Sequence, residues 1–330
     1  MRKEILLGLS LLTAASVMAE APAGYYDKLE GKKRTELMAE IRALASGHTN
    51  ISYGSGSWDA FRKTDAQFVN GRQAWIDMYS DEVVYTSEGH PGLNIEHCVP
   101  NSWWGGTKGL IYNDLFNLSP SNEKANQEKS NFPLAEVASV TWTNGVSTVG
   151  RPVMGQGGGS TYVFEPDDRY KGDFARMYFY MFVTYQSADW QRRYDYMFDL
   201  TSMTLLKPWA AKLLIAWNAA DPVDDKERRR NDAIYKVQKN RNAFIDLPTL
   251  PDFIWGDKSH LPFSAGYGAV DGVVDDSDRK LEVAVSGGDI FAPDGARVFD
   301  LSGRECPMRG LRPGIYIVTA PEGSVKISIR

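Results

Sequence analysis

The segment that best indicates the fold and the chemistry of the chain is residues 94–105, Asn94-Ile-Glu-His-Cys-Val-Pro-Asn-Ser-Trp-Trp-Gly105. Adjacent side chains on an extended strand point to opposite faces. Glu96 and His97 could therefore serve one cleft only if a twist or turn brings them to the same side. A carboxylate suits a hard cation such as Mg²⁺, and a neutral imidazole can accept a proton near neutral pH. By itself such a pair is more often a hydrogen-bonded surface feature than a site.

Two further polar segments follow, Asn113-Asp-Leu-Phe-Asn-Leu-Ser-Pro120 and Asn126-Gln-Glu-Lys-Ser-Asn-Phe-Pro133. Asn126 offers an amide oxygen that could complete a site from a following helix, and Mg²⁺ accepts such oxygens while keeping most of its waters. Hydrolysis of a phosphodiester needs a base for water, positive charge at the phosphate and a stabilised leaving oxygen. The sequence permits such a site, although the spacing alone does not establish its geometry.

The composition is that of a globular protein, with 43% hydrophobic and 24% charged residues, which argues against a disordered or collagen-like chain. A length of 330 residues allows one large core, or a core with a small appended domain. The formal net charge of −5 argues mildly against a nucleic-acid partner, but residues 226–241 carry seven basic and two acidic side chains. That stripe could hold phosphate, or it could be a solvated helix face.

The first 19 residues have the pattern of a cleaved secretory signal peptide. Arg2 and Lys3 precede a largely apolar run, Ile5–Val17, and Ala19 supplies a small residue before the expected cut. The run is too short to span a bilayer, and a buried first helix is the alternative. No later stretch reaches about 18 apolar residues, so we expect a soluble, secreted mature chain.

The two cysteines, Cys98 and Cys306, could pair in an oxidising compartment, but the sequence gives no distance between them. Neither Cys-x-x-Cys nor His-Glu-x-x-His spacing occurs, which argues against a structural zinc or a zincin site. A nucleophilic role for Cys98 would need a Cys–His–Asn arrangement that the sequence does not support.

Hydrophobic spacing predicts a mostly helical first part of the chain. We expect helices over about residues 20–45, 173–186, 202–218 and 226–242, with Asp221-Pro222 as the breaker between the last two. Residues 53–57 are predicted to be a loop, and residues 75–85 a helix followed by a strand. The aromatic side chains of residues 173–186 are typical of a helical core rather than of a base-stacking platform.

The composition changes near Ser264 to a Gly- and Asp-rich linker, residues 263–280. Short alternating apolar runs then predict four strands: Leu281–Val285, Ala296–Phe299, Ile315–Val318 and Val325–Ile329. The expected fold class is α+β, with a mostly helical domain over residues 20–262 and a small all-β domain over residues 281–330.

The polar segments together resemble the endonuclease I family. The shared patterns are Asn94-x-Glu-His-x-x-Pro-x-Ser-Trp-x-Gly, Asp114-Leu-x-x-Leu-x-Pro and Asn126-x-x-Lys-Ser-Asn-Phe-Pro. The likeness covers roughly residues 24–256 and continues in Phe164-Glu-Pro-Asp-Asp, Lys171-Gly-Asp-Phe-Ala-Arg176, Trp217-Asn-x-x-Asp-Pro-Val223 and Asn240-Arg-Asn-x-Phe-Ile-Asp-x-Pro248. It implies a secreted nuclease with an embedded ββα-metal (His-Me finger) motif. Such nucleases cut DNA, and often RNA, with little sequence preference and leave 5′-phosphates, which fits contact mainly with the backbone.

The resemblance also implies roles for individual residues. His97 matches the general base, and Glu96 and Asn126 match the two protein ligands of a single Mg²⁺, with Mn²⁺ or Ca²⁺ as alternatives. The residue that clamps the phosphate is left open between Lys108, Lys129, Arg151 and Arg176, of which we favour the two lysines. Lys129 stands where the family usually has arginine, and lysine lacks the bidentate fork.

Several neighbouring residues have two interpretations. Arg176 could be buried with a carboxylate partner instead of facing a phosphate. Trp103 and Trp104 could stack on a base or sugar, although packing behind the site is favoured. Phe116 occupies a position where the family often has histidine.

The tail resembles the C-terminal sorting domain of type IX secretion substrates in Bacteroidetes. The likeness rests on Val298-Phe-Asp-Leu-Ser-Gly-Arg304, Leu311-Arg-Pro-Gly-Ile-Tyr-Ile-Val318 and Val325-Lys-Ile-Ser-Ile-Arg330, within residues 281–330. It implies recognition by the secretion machinery. A generic β-module that caps the nuclease domain or binds a partner is the alternative.

The sequence thus predicts a monomeric, secreted endonuclease that acts on nucleic acid through in-line attack by water. One alternative is a non-catalytic surface protein on the same fold that binds nucleic acid or another partner. Another is a phosphodiesterase for small nucleotides. Intact Glu96, His97 and Asn126 argue against the first alternative, and comparing polymers with dinucleotides as substrates would test the second.

Overall fold

The computed structural model describes residues 21–265, 284–286, 289–292, 295–300, 304–320 and 323–329. Those up to Ala265 form one compact unit, and those from Ala284 onward form a second. The predicted signal peptide, residues 1–19, and most of the predicted linker lie outside the described residues. Among the helices of the described ranges, none is long and apolar enough to cross a membrane.

Nine helices are present in the described part of the first unit. Their bounds are α1 Arg34–Ala45, α2 Ser55–Thr64, α3 Leu110–Asn113, α4 Glu123–Lys129, α5 Lys171–Thr184, α6 Pro208–Ala220, α7 Asp225–Gln238, α8 Ala243–Asp246 and α9 Leu250–Ile254. All of α5 from Gly172 to Thr184 is buried, and it packs against α6 and α1. The prediction that its aromatic side chains are core is confirmed.

The strands of the first unit form three small antiparallel sheets. Their bounds are β1 Ala66–Val69, β2 Arg72–Trp75, β3 Leu93–His97, β4 Leu118–Asn122, β5 Val137–Thr143, β6 Ser147–Pro152 and β7 Val163–Pro166. The sheets are β1–β2, β3–β4 and β5–β6–β7. This mixture of helices and antiparallel sheets is that of an α+β protein, as predicted.

Local backbone and side-chain features overturn two of the predicted elements. The loop expected at residues 53–57 contains the start of α2, which follows Gly54 at a φ of 89°. No helix forms after Trp75 within residues 76–85, because Asp77 organises a turn instead. Its carboxylate accepts hydrogen bonds from the Tyr79 amide at 2.8 Å and the Ser80 hydroxyl at 2.6 Å. Such local bonds compete with helix formation.

Other helices are confirmed with different bounds. The first is shorter than expected, since Gly31 has a φ of 73° and α1 begins only at Arg34. The start of α6 lies at Pro208, a residue favoured in a first helical turn. The break at Asp221-Pro222 is confirmed, and α7 then begins with a capping box between Asp224 and Glu227.

The described residues of the second unit lie mainly in strands. These are β8 Ala284–Ser286, β9 Asp289–Phe291, β10 Arg297–Asp300, β11 Glu305–Cys306, β12 Gly314–Ala320 and β13 Gly323–Ile329. One sheet has the order β11–β10–β12–β13, and β8 pairs with β9. The core of the second unit contains the buried side chains of Ile290, Val298, Tyr316, Val318 and Ile329. Cys98, buried in the first unit, and Cys306, half-buried in the second, are each a free thiol.

Candidate active site

A strand–strand–helix unit holds the residues singled out by the sequence. β3 and β4 pair antiparallel, with Glu96 opposite Ser119 and His97 opposite Leu118. The chain passes directly from β4 into α4, which carries Asn126. Asn122 caps this helix, since its side-chain oxygen accepts a hydrogen bond from the Ala125 amide at 3.0 Å. Consecutive elements therefore bring a carboxylate, an imidazole and an amide to one end of the hairpin.

His97 is held in a defined tautomer. Its side chain is buried, and Nε2 lies 2.8 Å from the carbonyl oxygen of Tyr112. A carbonyl only accepts hydrogen bonds, so Nε2 carries the proton and Nδ1 keeps its lone pair. The side-chain nitrogen of Asn101 lies 3.3 Å from Nδ1 and can donate to it. This arrangement leaves Nδ1 as the basic atom.

The surroundings of His97 keep its ring neutral. Burial lowers the pKa of His97 to about 4, against the raising effect of the Tyr112 carbonyl. The positive charges of Lys129 and Lys108 lower the pKa further. At neutral pH the ring is therefore an unprotonated imidazole, the form that can accept a proton.

Glu96 is a buried carboxylate with two side-chain hydrogen-bond partners. Lys129 Nζ donates to Glu96 Oε1 at 2.7 Å, and the Asn126 side chain also donates to the carboxylate. Burial raises the pKa of Glu96, while Lys129 and Asn126 oppose that rise. The predicted metal ligands Glu96 and Asn126 thus lie in contact.

Glu96 and His97 open onto the same cleft. A cavity of about 210 Å³ is lined by both side chains and by Pro100, Asn101, Ser102, Ser130 and Asn131. Strand alternation would have separated the two residues, but β3 ends at His97 and the chain turns there. The condition that the sequence left open, a turn that unites the pair, is met.

The four candidate phosphate clamps lie in different environments. Lys108 is exposed, with Nζ 4.8 Å from the centre of the Tyr112 ring, which itself lies 4.4 Å from the His97 ring. Lys129 is fully buried against Glu96. Arg151 is exposed on β6. Only Lys108 and Lys129 among these cations lie near His97.

Arg176 is not a phosphate clamp. It is fully buried and donates to both oxygens of Glu227, each at 2.6 Å. The alternative prediction, a buried arginine with a carboxylate partner, is confirmed. Part of the basic stripe 226–241 is likewise structural, since Arg230 pairs with Asp65 and Arg241 with Asp246.

The neighbouring aromatic and thiol side chains support the site from behind. Trp103 and Trp104 are buried, and the Trp104 ring lies 6.0 Å from that of His97. Packing, rather than stacking on a ligand, is therefore confirmed for both. Phe116 is fully buried. Burial raises the pKa of the Cys98 thiol, so this residue is unsuited to a nucleophilic role.

Sequence reasoning missed three residues around His97. Asn101, four positions after His97, lies within residues 94–105, so this segment could have indicated it. Tyr112 acts through its backbone carbonyl, which no side-chain pattern indicates. Tyr53 stacks on His97 at 5.7 Å between ring centres, from a segment that gave no signal.

The donor set near the cleft fits a hard divalent cation. Carboxylate and amide oxygens are suitable ligands for Mg²⁺, which keeps several waters. No group of three or more His, Cys, Asp or Glu side chains that could hold a metal occurs in the described ranges. Glu96 and Asn126, whose side chains lie in contact, carry a carboxylate and an amide of this kind.

Comparison with known proteins gives the family. The endonuclease I profile matches residues 32–249. An extracellular ribonuclease of Bacillus amyloliquefaciens is 34% identical over 238 residues, covering 70% of this chain and 78% of that protein. An extracellular ribonuclease of Bacillus subtilis is 34% identical over 257 residues, covering 75% and 83%. An endonuclease-1 of Buchnera aphidicola is 27% identical over 135 residues, covering 41% and 45%. The chain therefore belongs to the endonuclease I family and is a nuclease.

Proposed function

We propose that the protein is a secreted, metal-dependent endonuclease that hydrolyses phosphodiester bonds of DNA, and also of RNA, to products with 5′-phosphates. The observation that carries this proposal is the state of His97. Its ring is buried and neutral, its Nδ1 is the unprotonated nitrogen that carries the lone pair, and it shares a cleft with the Glu96 carboxylate. Such a group can take a proton from water beside a charged oxygen ligand.

The proposed reaction is in-line attack by water. A bond forms between the water oxygen and phosphorus, the bond from phosphorus to the 3′ oxygen breaks, and the phosphate stays on the 5′ oxygen. The leaving 3′ oxygen takes up a proton from solvent water and becomes a hydroxyl. His97 Nδ1 accepts the proton that the water loses, and Asn101 orients the ring from 3.3 Å. The 2′-hydroxyl of RNA takes no part in these steps. For this reason DNA and RNA are both expected substrates.

We assign the divalent cation to Glu96 and Asn126, in a His-Me finger formed by β3, β4 and α4. Their oxygens suit Mg²⁺, with Mn²⁺ and Ca²⁺ as alternatives. When bound, the cation supplies positive charge to the phosphate oxygens. Lys129 holds the carboxylate of Glu96 from the buried side. Lys108, exposed beside Tyr112, is the proposed contact for the phosphate.

Export and domain organisation complete the proposal. Residues 1–19 would direct secretion, and two relatives carry the name extracellular ribonuclease. We assign residues 20–262 to the nuclease domain, residues 263–280 to a linker, and residues 281–330 to an all-β domain that the type IX secretion machinery recognises. The paired strands β10–β13 support the β-rich character of residues 281–330. The nuclease is proposed to act as a monomer.

Cleavage of supercoiled plasmid and of RNA by the purified chain tests the function. Each substrate is incubated with Mg²⁺, Mn²⁺, Ca²⁺ or EDTA, and product ends are typed by their need for phosphatase before 5′ labelling. We expect metal-dependent nicking, no cleavage in EDTA, and 5′-phosphate ends. A folded protein that leaves both polymers intact with every cation would instead be a non-catalytic binding protein. Cleavage of dinucleotides alone would identify a phosphodiesterase for small nucleotides.

A further inference from the structure

A second cavity adjoins the catalytic cleft. Its volume is about 410 Å³, and Asn126, the proposed metal ligand, forms part of its wall. Its floor is the first part of β3, Leu93–Ile95, which leads directly to Glu96 and His97. We call this space the side cavity. A substrate strand with a phosphate at Glu96 and Asn126 would place a neighbouring nucleotide close to it.

Flat rings form the walls of the side cavity. Trp58 and His90 both line it, and their rings are parallel, with centres 3.9 Å apart and planes inclined by 2°. Trp75 packs edge-on against Trp58 at 5.2 Å, which fixes the orientation of this pair. Tyr53 lines the cavity too and is 38% exposed, although most large aromatic residues of the first unit are buried. The cavity therefore offers rings held in place before any ligand arrives.

The polar groups of the side cavity suit a neutral ligand. No Lys, Arg, Asp or Glu side chain of the described residues lines it. Asn94 is exposed there, two positions before Glu96 on the same strand, and its amide can both donate and accept a hydrogen bond. Apart from the cation proposed at Asn126, a phosphate would find no positive charge from a lysine or arginine among the described residues of this lining. A nucleobase would find ring faces and an amide.

We propose that the side cavity binds one unstacked nucleobase of the substrate strand, next to the phosphate that is cleaved. This inference rests on the proposed nuclease function. Every base has a ring face, so stacking tolerates any sequence. Unstacking a base costs least where the strand is already single. The subsite therefore makes single-stranded segments the preferred substrates over paired duplex.

An abasic scan tests the subsite. Single-stranded oligonucleotides with one cleavable linkage carry one abasic sugar, placed at each position in turn around that linkage. Base stacking on aromatic side chains is worth roughly five- to a hundredfold in affinity. We expect kcat/KM to fall by about that factor at one position adjacent to the cleaved bond, and by less than about threefold elsewhere.

Variants then assign that loss to the side cavity. Trp58→Leu should remove most of the penalty of the abasic position, because it dismantles the stacked Trp58–His90 ring pair that lines the cavity. The His90→Ala/Asn94→Ala double variant changes only exposed side chains and should reduce the same penalty if Trp58→Leu does not fold. Phe68→Ala is the matched control, since Phe68 is 78% exposed and lines a different cavity.

The outcomes separate the subsite from the function on which it rests. A flat abasic profile in an enzyme that cleaves the intact oligonucleotide overturns the subsite alone. A penalty that persists unchanged in the folded variants also overturns it. Failure of the wild-type chain to cleave any oligonucleotide, plasmid or RNA overturns the proposed function, and the subsite with it.

Discussion

Lys129→Met removes the only cation bonded to the buried carboxylate of Glu96 among the described residues, and it should destabilise the protein strongly. Lys129 Nζ lies 2.7 Å from Glu96 Oε1, and the two side chains are 0% and 10% exposed. At that distance and an effective dielectric constant of about 20, the attraction is about 6 kcal/mol. Removing one partner from a buried pair costs about 3–5 kcal/mol in practice. We expect a loss of stability in that range.

The loss should depend on pH in a definite direction. Burial already raises the pKa of Glu96, and Lys129 opposes that rise. Without Lys129 the carboxyl group binds a proton more readily in the folded protein, which relieves the unpaired charge. The loss of unfolding free energy in the variant should therefore be largest above the pKa of Glu96 in the folded variant, and it should shrink as the pH falls through that pKa.

Urea unfolding in EDTA, from about pH 5 to about pH 8, measures this effect as the difference in unfolding free energy. Adding Glu96→Gln to Lys129→Met should recover most of the loss, since no buried charge is then left alone. Arg176→Met is a matched control, because Arg176 forms a buried pair with Glu227 elsewhere in the unit. It should destabilise the fold, and adding Glu96→Gln should not recover that loss, because Arg176 pairs with Glu227 and not with Glu96. A pH-independent loss below about 1 kcal/mol for Lys129→Met would refute the reasoning.

Three further predictions concern the histidines and Asn101. In the metal-free protein, NMR should find His97 neutral down to about pH 5, because burial lowers its pKa to about 4; protonation near its ordinary value would contradict this. Burial alone would lower the pKa of His48, but the Asp114 carboxylate raises that pKa overall. The ion pair therefore contributes its full stability below about pH 6.5, and this stability is lost as the pH rises through the pKa of His48 in the folded protein. His48→Gln should therefore cost about 1.5–3 kcal/mol near pH 6 and less near pH 9 in urea unfolding, and an equal cost at both would exclude the pairing. Asn101→Ala should lower kcat/KM for plasmid about two- to tenfold, and an unchanged rate would exclude its role in orienting His97.

The helices and the core could be predicted from periodic patterns, whereas turn chemistry escaped them. The long aromatic run of α5 favours burial because its apolar rings are removed from water there. The Asp221-Pro222 pair ends α6 because proline has no backbone N–H and its ring clashes with the preceding helical turn. The Asp77 turn and the helix that begins after Gly54 depend on local hydrogen bonds and a positive φ. Both are local features of one or two residues, so a periodic pattern over many residues could not reveal them.

The features of the site also divide into those that a sequence motif predicts and those that depend on the fold. Glu96, His97 and Asn126 stand in ordered motifs, and the structure brings the first two into one cleft and the third into contact with Glu96. The tautomer of His97 depends on the Tyr112 carbonyl, which every residue type carries. Lys129 is buried against Glu96, and the spacing of residues in the sequence does not predict this position.

The most direct test of the central claim is the rate of plasmid cleavage by His97→Ala. The variant is compared with wild type and with His260→Ala, which removes an exposed histidine, in Mg²⁺ and at matched fold by circular dichroism and Tm. Loss of a general base should slow His97→Ala by about 10²–10⁴-fold, with partial recovery when imidazole is added, while His260→Ala keeps the wild-type rate. Cleavage by a folded His97→Ala within about tenfold of the wild-type rate would contradict the assignment of His97 as the base.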